Sequence, residues 1–141
     1  MDKRKVQSVI FYCAQGQGKH FLLLKMNKKR GYLWQNVTGG VDKNENFQDA
    51  AVREAAEETG LSTENIQQLI KTDIEFHFCD QWENNVTEKV FFIQVKNKWD
   101  VMLDPSEHCE FSWVNEKNIS PKSVHYASNF EALQKAMVQN E

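Results

Sequence analysis

Three carboxylates stand close together in the middle of this chain. Glu54, Glu57 and Glu58 fall within the stretch Arg53-Glu54-Ala55-Ala56-Glu57-Glu58-Thr59-Gly60-Leu61. Residues Phe47 to Thr59 are rich in Ala and Glu, contain no Pro or internal Gly, and stop at Gly60, so the pattern predicts one helix. On it the three glutamates occupy i, i+3 and i+4 and share a face. Like charges at that spacing repel by roughly 0.2–0.5 kcal/mol per pair. They also crowd the last turns, where the helix dipole favours cations. The arrangement calls for positive charge. Arg53 is one source, and a hard divalent cation is another, because Mg²⁺ prefers carboxylate oxygens and is often shared with substrate phosphates.

Such a cluster can hold a divalent cation that is shared with the phosphates of a substrate. A glutamate-rich helix face is ordinarily just solvated. The surrounding spacing argues otherwise: Gly39, five residues, Glu45, seven residues, Arg53-Glu54-Ala55, one residue, Glu57-Glu58, one residue, Gly60-Leu61. This resembles the Nudix box of the Nudix hydrolases at every defined position, with Ala55 small where an aliphatic residue is usual. The resemblance implies a loop-helix-loop holding Mg²⁺ or Mn²⁺, with water attacking a diphosphate linkage. It implies Glu54 and Glu58 as the direct metal ligands, with Glu57 a ligand or base. Arg53 would orient a glutamate through its planar fork. Gly39 and Gly40 let the backbone approach the site. Glu45 is a further ligand or an anchor for the loop.

Outside the box, LWQNVTGGV, VTEKVFF, SEHCEFSWV and YASNFEAL resemble, in order, the bacterial dihydroneopterin triphosphate pyrophosphatase group, also described as dATP pyrophosphohydrolases. That likeness implies Glu107 as another carboxylate reaching the metals. It also implies Thr38 and Ser128 as substrate contacts, and by its position Ser128 reads as an N-cap with Glu131 completing a capping box. The basic loop with Lys25, Lys28, Lys29 and Arg30, and Arg4 with Lys5 near the N-terminus, are candidates for phosphate contacts. Of these, Lys28 and Arg4 are taken as substrate-binding. His77, His108 and His125 lack metal-ligand spacing and read as ordinary. Trp34, Phe76, Phe78, Trp82 and Tyr126 include at most one or two stacking platforms for a base.

These residues need a scaffold. Val6–Ala14 and His20–Met26 read as strands joined at Gln15-Gly16-Gln17-Gly18, a hairpin turn by composition. Leu33–Thr38 is a short strand entering the glycine pair. Asn65–Cys79 and Val86–Val95 are longer strands around a polar tip, Asp80–Asn85, and Glu110–Val114 is another short one. Asn129–Val138 carries apolar residues at helical spacing. The expectation is an α/β protein, a mixed β-sheet between helices in a Nudix-type α/β/α sandwich, with residues 1–141 forming a single domain.

The chain has 141 residues, net charge −3, 40% hydrophobic and 11% aromatic content. A bulk electrostatic grip on nucleic acid is not indicated, and no run approaches a membrane span. The N-terminus reads as a strand rather than a signal peptide. Three dispersed cysteines, Cys13, Cys79 and Cys109, read as buried free thiols in a reducing cytoplasm. The expected partner is a small nucleotide or pterin triphosphate, met by a monomer or homodimer. Nucleotide-sugar, dinucleoside polyphosphate and RNA 5′-pyrophosphate hydrolases are the alternatives within the enzyme class. A nucleotide-sensing module is the alternative outside it.

Overall fold

The computed structural model describes residues 3–14 and 18–139. Seven strands form one mixed sheet: β1 (Lys3–Cys13), β2 (His20–Met26), β3 (Trp34–Gln35), β4 (Val37–Gly40), β5 (Ile66–Cys79), β6 (Asn85–Val95) and β7 (His108–Asn115). Helix α1 spans Phe47–Thr59 and α2 spans Ala127–Met137.

Strand β1 is central. One edge runs parallel to β6 along its whole length, from Lys3↔Asn85 to Cys13↔Val95. Its other edge is divided. Tyr12 and Cys13 pair with β2, while Val6 to Val9 pair antiparallel with β4. Beyond that fork, β2 continues between β3 and β7, and β5 flanks β6 on the far side. Residues on alternate sides of β1 enter different cores, as the strand period requires. Val9, Phe11 and Cys13 pack with Phe91, Ile93, Ala51 and Ala55 beneath α1. Ile10 and Tyr12 pack with Val90, Phe92, Ala132, Leu133 and Ala136 beneath α2. The helices therefore cover opposite faces of the sheet, as expected of an α/β/α sandwich.

Helix α1 has the predicted bounds. Asn46 caps it by accepting from the Asp49 amide at 2.7 Å, and Gly60 ends it at φ +71°. Its C-terminal carbonyls are met without a basic residue: the Trp99 indole and the Met102 amide both donate to Thr59 O.

Several expectations need correction. The third predicted strand is two strands, broken at Asn36, whose amide donates to Asn129 Oδ1 at 2.8 Å. The same tertiary bond, with His125 N donating to Trp34 O, starts α2 earlier than periodicity implies. Tyr126 is its N-cap residue, without a side-chain cap, so Ser128 lies inside the first turn and the Ser128–Glu131 box does not form. Of the cysteines only Cys13 is buried; Cys79 and Cys109 are exposed. In the expected hairpin turn Gln15, Gly16 and Gln17 lie outside the described residues, although the antiparallel β1–β2 pairing is present.

Candidate active site

At the fork a pocket of about 240 Å³ is lined by Arg4 and Val6 of β1, Gln35 of β3, Thr38, Gly39 and Gly40 of β4, Glu54 and Glu58 of α1, Arg30, and Glu107. Four elements and two loops thus converge. Gly39 is required by closeness rather than by a special φ: a Cβ there would lie 2.6 Å from Glu54 Cδ.

Arg53 organises the glutamates. Its Nε and Nη2 donate to the two oxygens of Glu45 at 2.9 and 3.0 Å, a bidentate pair. Nη1 donates to Glu54 at 3.0 Å and to Glu57 at 3.2 Å, and Nη2 also reaches Gly40 O at 3.3 Å. One guanidinium therefore ties α1 to the glycine strand and to the loop before the helix. The hydrogen bond from Arg53, then that from the Asp42 amide, hold the Glu45 carboxyl below its ordinary pKa. Glu45 is a loop anchor here. Glu45 first, then Glu54, raise the pKa of Arg53 against the effect of burial, and it stays cationic. Burial pushes the Glu54 carboxyl up; Arg53 opposes that, while Glu58 and Glu57 reinforce it.

The three box glutamates do not behave alike. Glu54 and Glu58 line the pocket, whereas Glu57 is 57% exposed and turned to Arg53. Glu58 is 9% exposed, not a solvated residue of a polar face. Its Oε2 lies 3.2 Å from His108 Nδ1, without forming a hydrogen bond, and both atoms are buried. His108 is 3% exposed, so it is not the ordinary histidine that its spacing suggested. No short-range signal marks it; only the neighbouring Glu107 does.

Glu107 is positioned by a braced turn. Asp104 accepts from the Ser106 hydroxyl and amide at 2.7 and 3.0 Å, which lowers its pKa against the effect of burial. Asn27 donates from its side chain to Ser106 O at 2.7 Å and from its amide to Glu107 O at 3.0 Å. Asn27 also opens the turn carrying Lys28–Arg30. It therefore couples the loop bearing Arg30 to the turn bearing Glu107, a role invisible in the sequence. Arg30 lines the pocket; Lys28 is exposed and does not. Arg4 lines it too, with Nη1 3.5 Å from Asp80. Ser128 is not among the lining residues.

Oxygen-rich donors around one pocket, with a buried Glu58 oxygen lacking a hydrogen-bond partner, suit a hard divalent cation. Among the described residues no three histidine, cysteine or carboxylate side chains are gathered into a ready-made cage. Glu54 and Glu57 are drawn to Arg53 instead.

A family model for the NUDIX domain matches residues 3–135. The chain is 30% identical to a dihydroneopterin triphosphate diphosphatase of Haemophilus influenzae, over 96% of this chain and 89% of that one. It is also 30% identical to an RNA pyrophosphohydrolase of Novosphingobium aromaticivorans, over 75% and 74%. The solved dihydroneopterin triphosphate pyrophosphohydrolase of E. coli superposes with a TM-score of 0.80 at 20% identity, covering 98% of this chain and 99% of that one.

Proposed function

This chain belongs to the NUDIX domain family, and from that premise we propose that it is a pyrophosphohydrolase using Mg²⁺ or Mn²⁺ to cleave a nucleoside or pterin triphosphate into a monophosphate and pyrophosphate. The observation that carries this reading is the convergence of Glu54, Glu58 and Glu107 with Arg4 and Arg30 on one pocket. Carboxylates alone would repel a triphosphate, and cations alone would bind it without activating water. Both together fit a metal–polyphosphate complex.

In this reading Glu54, Glu58 and Glu107 hold the metal ions, which supply neutralisation of phosphoryl charge and an acidified water. Arg30 and Arg4 bind phosphate oxygens. Thr38 and the β4 backbone orient the chain of phosphates, with Gly39 allowing Glu54 to stand close against the strand. Arg53 places Glu54 and Glu57, and Glu57 is a base or an outer ligand. Ser128, in the first turn of α2, and Lys28 belong to the rim of the site at most.

The substrate class rests on the Haemophilus relative, matched over nearly all of this chain. The RNA pyrophosphohydrolase relative favours a second reading, removal of pyrophosphate from RNA 5′ ends. One panel separates them: dNTPs, NTPs, dihydroneopterin triphosphate, 5′-triphosphorylated RNA, diadenosine tetraphosphate and ADP-ribose, with Mg²⁺ or Mn²⁺ and products resolved as phosphate or pyrophosphate. Pyrophosphate release from the free triphosphates is the expected outcome. Turnover only of the 5′-triphosphorylated RNA moves the assignment to the second reading. Turnover only of ADP-ribose rejects both.

A further inference from the structure

One buried carboxyl takes no part in the machinery above. Glu88 of β6 is 6% exposed, and Ser8 of β1 is 2% exposed. The Ser8 hydroxyl donates to Glu88 Oε2 at 2.7 Å, and among the described residues nothing donates to Oε1. Burial raises the carboxyl's pKa, opposed in part by Ser8. Glu45, by contrast, is matched by the guanidinium of Arg53. Glu88 is not: Arg4, two residues before Val6 on the same side of β1, reaches Asp80 instead.

Its place in the sheet is informative. Ser8 is the cross-strand partner of Thr38, and Val6 is the partner of both Gly40 and Glu88. Thr38, Gly40, Val6 and Arg4 all line the pocket. The Ser8–Glu88 pair therefore continues the pocket's floor by one strand, about 5 Å further from the phosphate-side carboxylates. Phe76 faces Glu88 across the β5–β6 ladder and is half-buried. Phe78, two residues on, is 47% exposed. They supply apolar surface for a flat ring beside the carboxyl.

We propose that Ser8 and Glu88 form the recognition point for the substrate's heterocycle, reading an edge with two adjacent N–H donors: the 2-amino-4-oxo edge shared by guanine and pterins. The chemistry follows from the atoms. Ser8 takes up one acceptor position on Oε2 and, among the described residues, nothing donates to Oε1, so the carboxylate keeps acceptor capacity on both oxygens. The Watson–Crick edges of adenine and cytosine offer one donor beside an acceptor, and uracil a single N–H between two carbonyls. Only the 2-amino-4-oxo edge presents neighbouring N–H and NH₂ groups to both oxygens.

The inference rests on the pyrophosphohydrolase reading, and one experiment distinguishes failure of the two. Steady-state kcat/KM is measured in Mg²⁺ for GTP, ITP, ATP and dihydroneopterin triphosphate with wild type, Glu88→Gln and Ser8→Ala. ITP lacks the 2-amino group. Wild type should favour GTP and the pterin over ITP and ATP. Glu88→Gln, nearly isosteric, should collapse the GTP-to-ITP ratio toward one, by tenfold or more and mainly through KM. Ser8→Ala should move it the same way by less. Thermal melts confirm that the variants are folded. A wild-type preference for ATP, or a GTP-to-ITP ratio that Glu88→Gln leaves unchanged, overturns the recognition role alone. Release of pyrophosphate from none of the four overturns the parent reading. The wild-type ratio of GTP to pterin triphosphate tells which source of the shared edge is used.

Discussion

Glu58 illustrates how much chemistry depends on a single side chain's surroundings. It is buried against His108, lines the pocket, and has an oxygen without a hydrogen-bond partner. Replacing it by Gln keeps its volume and removes its charge. Glu58→Gln should lower kcat by about a hundredfold or more while leaving the melting temperature at or above that of wild type. Full activity in that variant would reject the metal role. His108 touches Glu58 rather than lining the pocket, so it is a positioning residue. His108→Phe fills the space but cannot meet a carboxylate oxygen. It should lower kcat about tenfold, as loss of a partner behind a metal ligand does, with KM little changed. His108→Gln should recover part of the loss; a uniform fall in stability without a kcat effect would mark His108 as packing only. The glutamates could be read from spacing because a helix maps sequence onto a face by fixed geometry. His108 could not, because its partner is fifty residues away and the contact exists only after β7 has paired with β2.

At the scale of elements, the box works as a strapped loop, strand and helix. Gly39 of β4 leaves room for Glu54, and an added Cβ would meet the far end of that flexible side chain rather than backbone. Gly39→Ala should therefore fold, because no positive φ is involved, yet displace Glu54. A tenfold or larger fall in kcat with a melting temperature lowered by only a few degrees is expected; unchanged kcat would show that Glu54 need not stand where it does. The Glu45–Arg53 pair supplies a pH signature. The pKa of Glu45 is depressed on folding. Its contribution to stability is thus present above the unfolded value near 4.5 and is lost as pH falls through the folded value. Glu45→Gln should lower the urea midpoint at pH 7, and the gap from wild type should narrow as the pH falls below 4.5 and through the folded value. A gap of constant size would mean that charge pairing with Arg53 contributes nothing. Element types and the bounds of α1 were legible in the sequence, since caps and periodicity act locally. The split of β3 from β4 and the early start of α2 were not, because the bonds that accompany them, Asn36–Asn129 and His125–Trp34, join residues about ninety apart in the chain.

For the whole molecule, the decisive feature is that the pocket draws on β1, β3, β4, α1 and two loops separated by as much as a hundred residues. Asn27 braces two of those loops together, so the geometry around Glu107 exists only in the folded protein. A ligand held by Glu54, Glu58 and Glu107 must then bind the native state and not the unfolded chain. Binding of that kind stabilises by RT ln(1 + [L]/Kd), about 2.7 kcal/mol at a hundredfold excess over Kd. Titrating Mg²⁺ or Mn²⁺ into metal-free protein should raise the melting temperature by several degrees, and EDTA should reverse the shift. Ca²⁺, which tolerates looser coordination, tests whether the site discriminates by size. The increment should vanish in Glu58→Gln, because that variant lacks one carboxylate charge of the pocket, and should persist in Glu57→Gln if Glu57 serves Arg53. A shift of equal size in wild type and Glu58→Gln would place cation binding elsewhere on a surface of net charge −3, and would separate the pocket's carboxylates from the metal altogether.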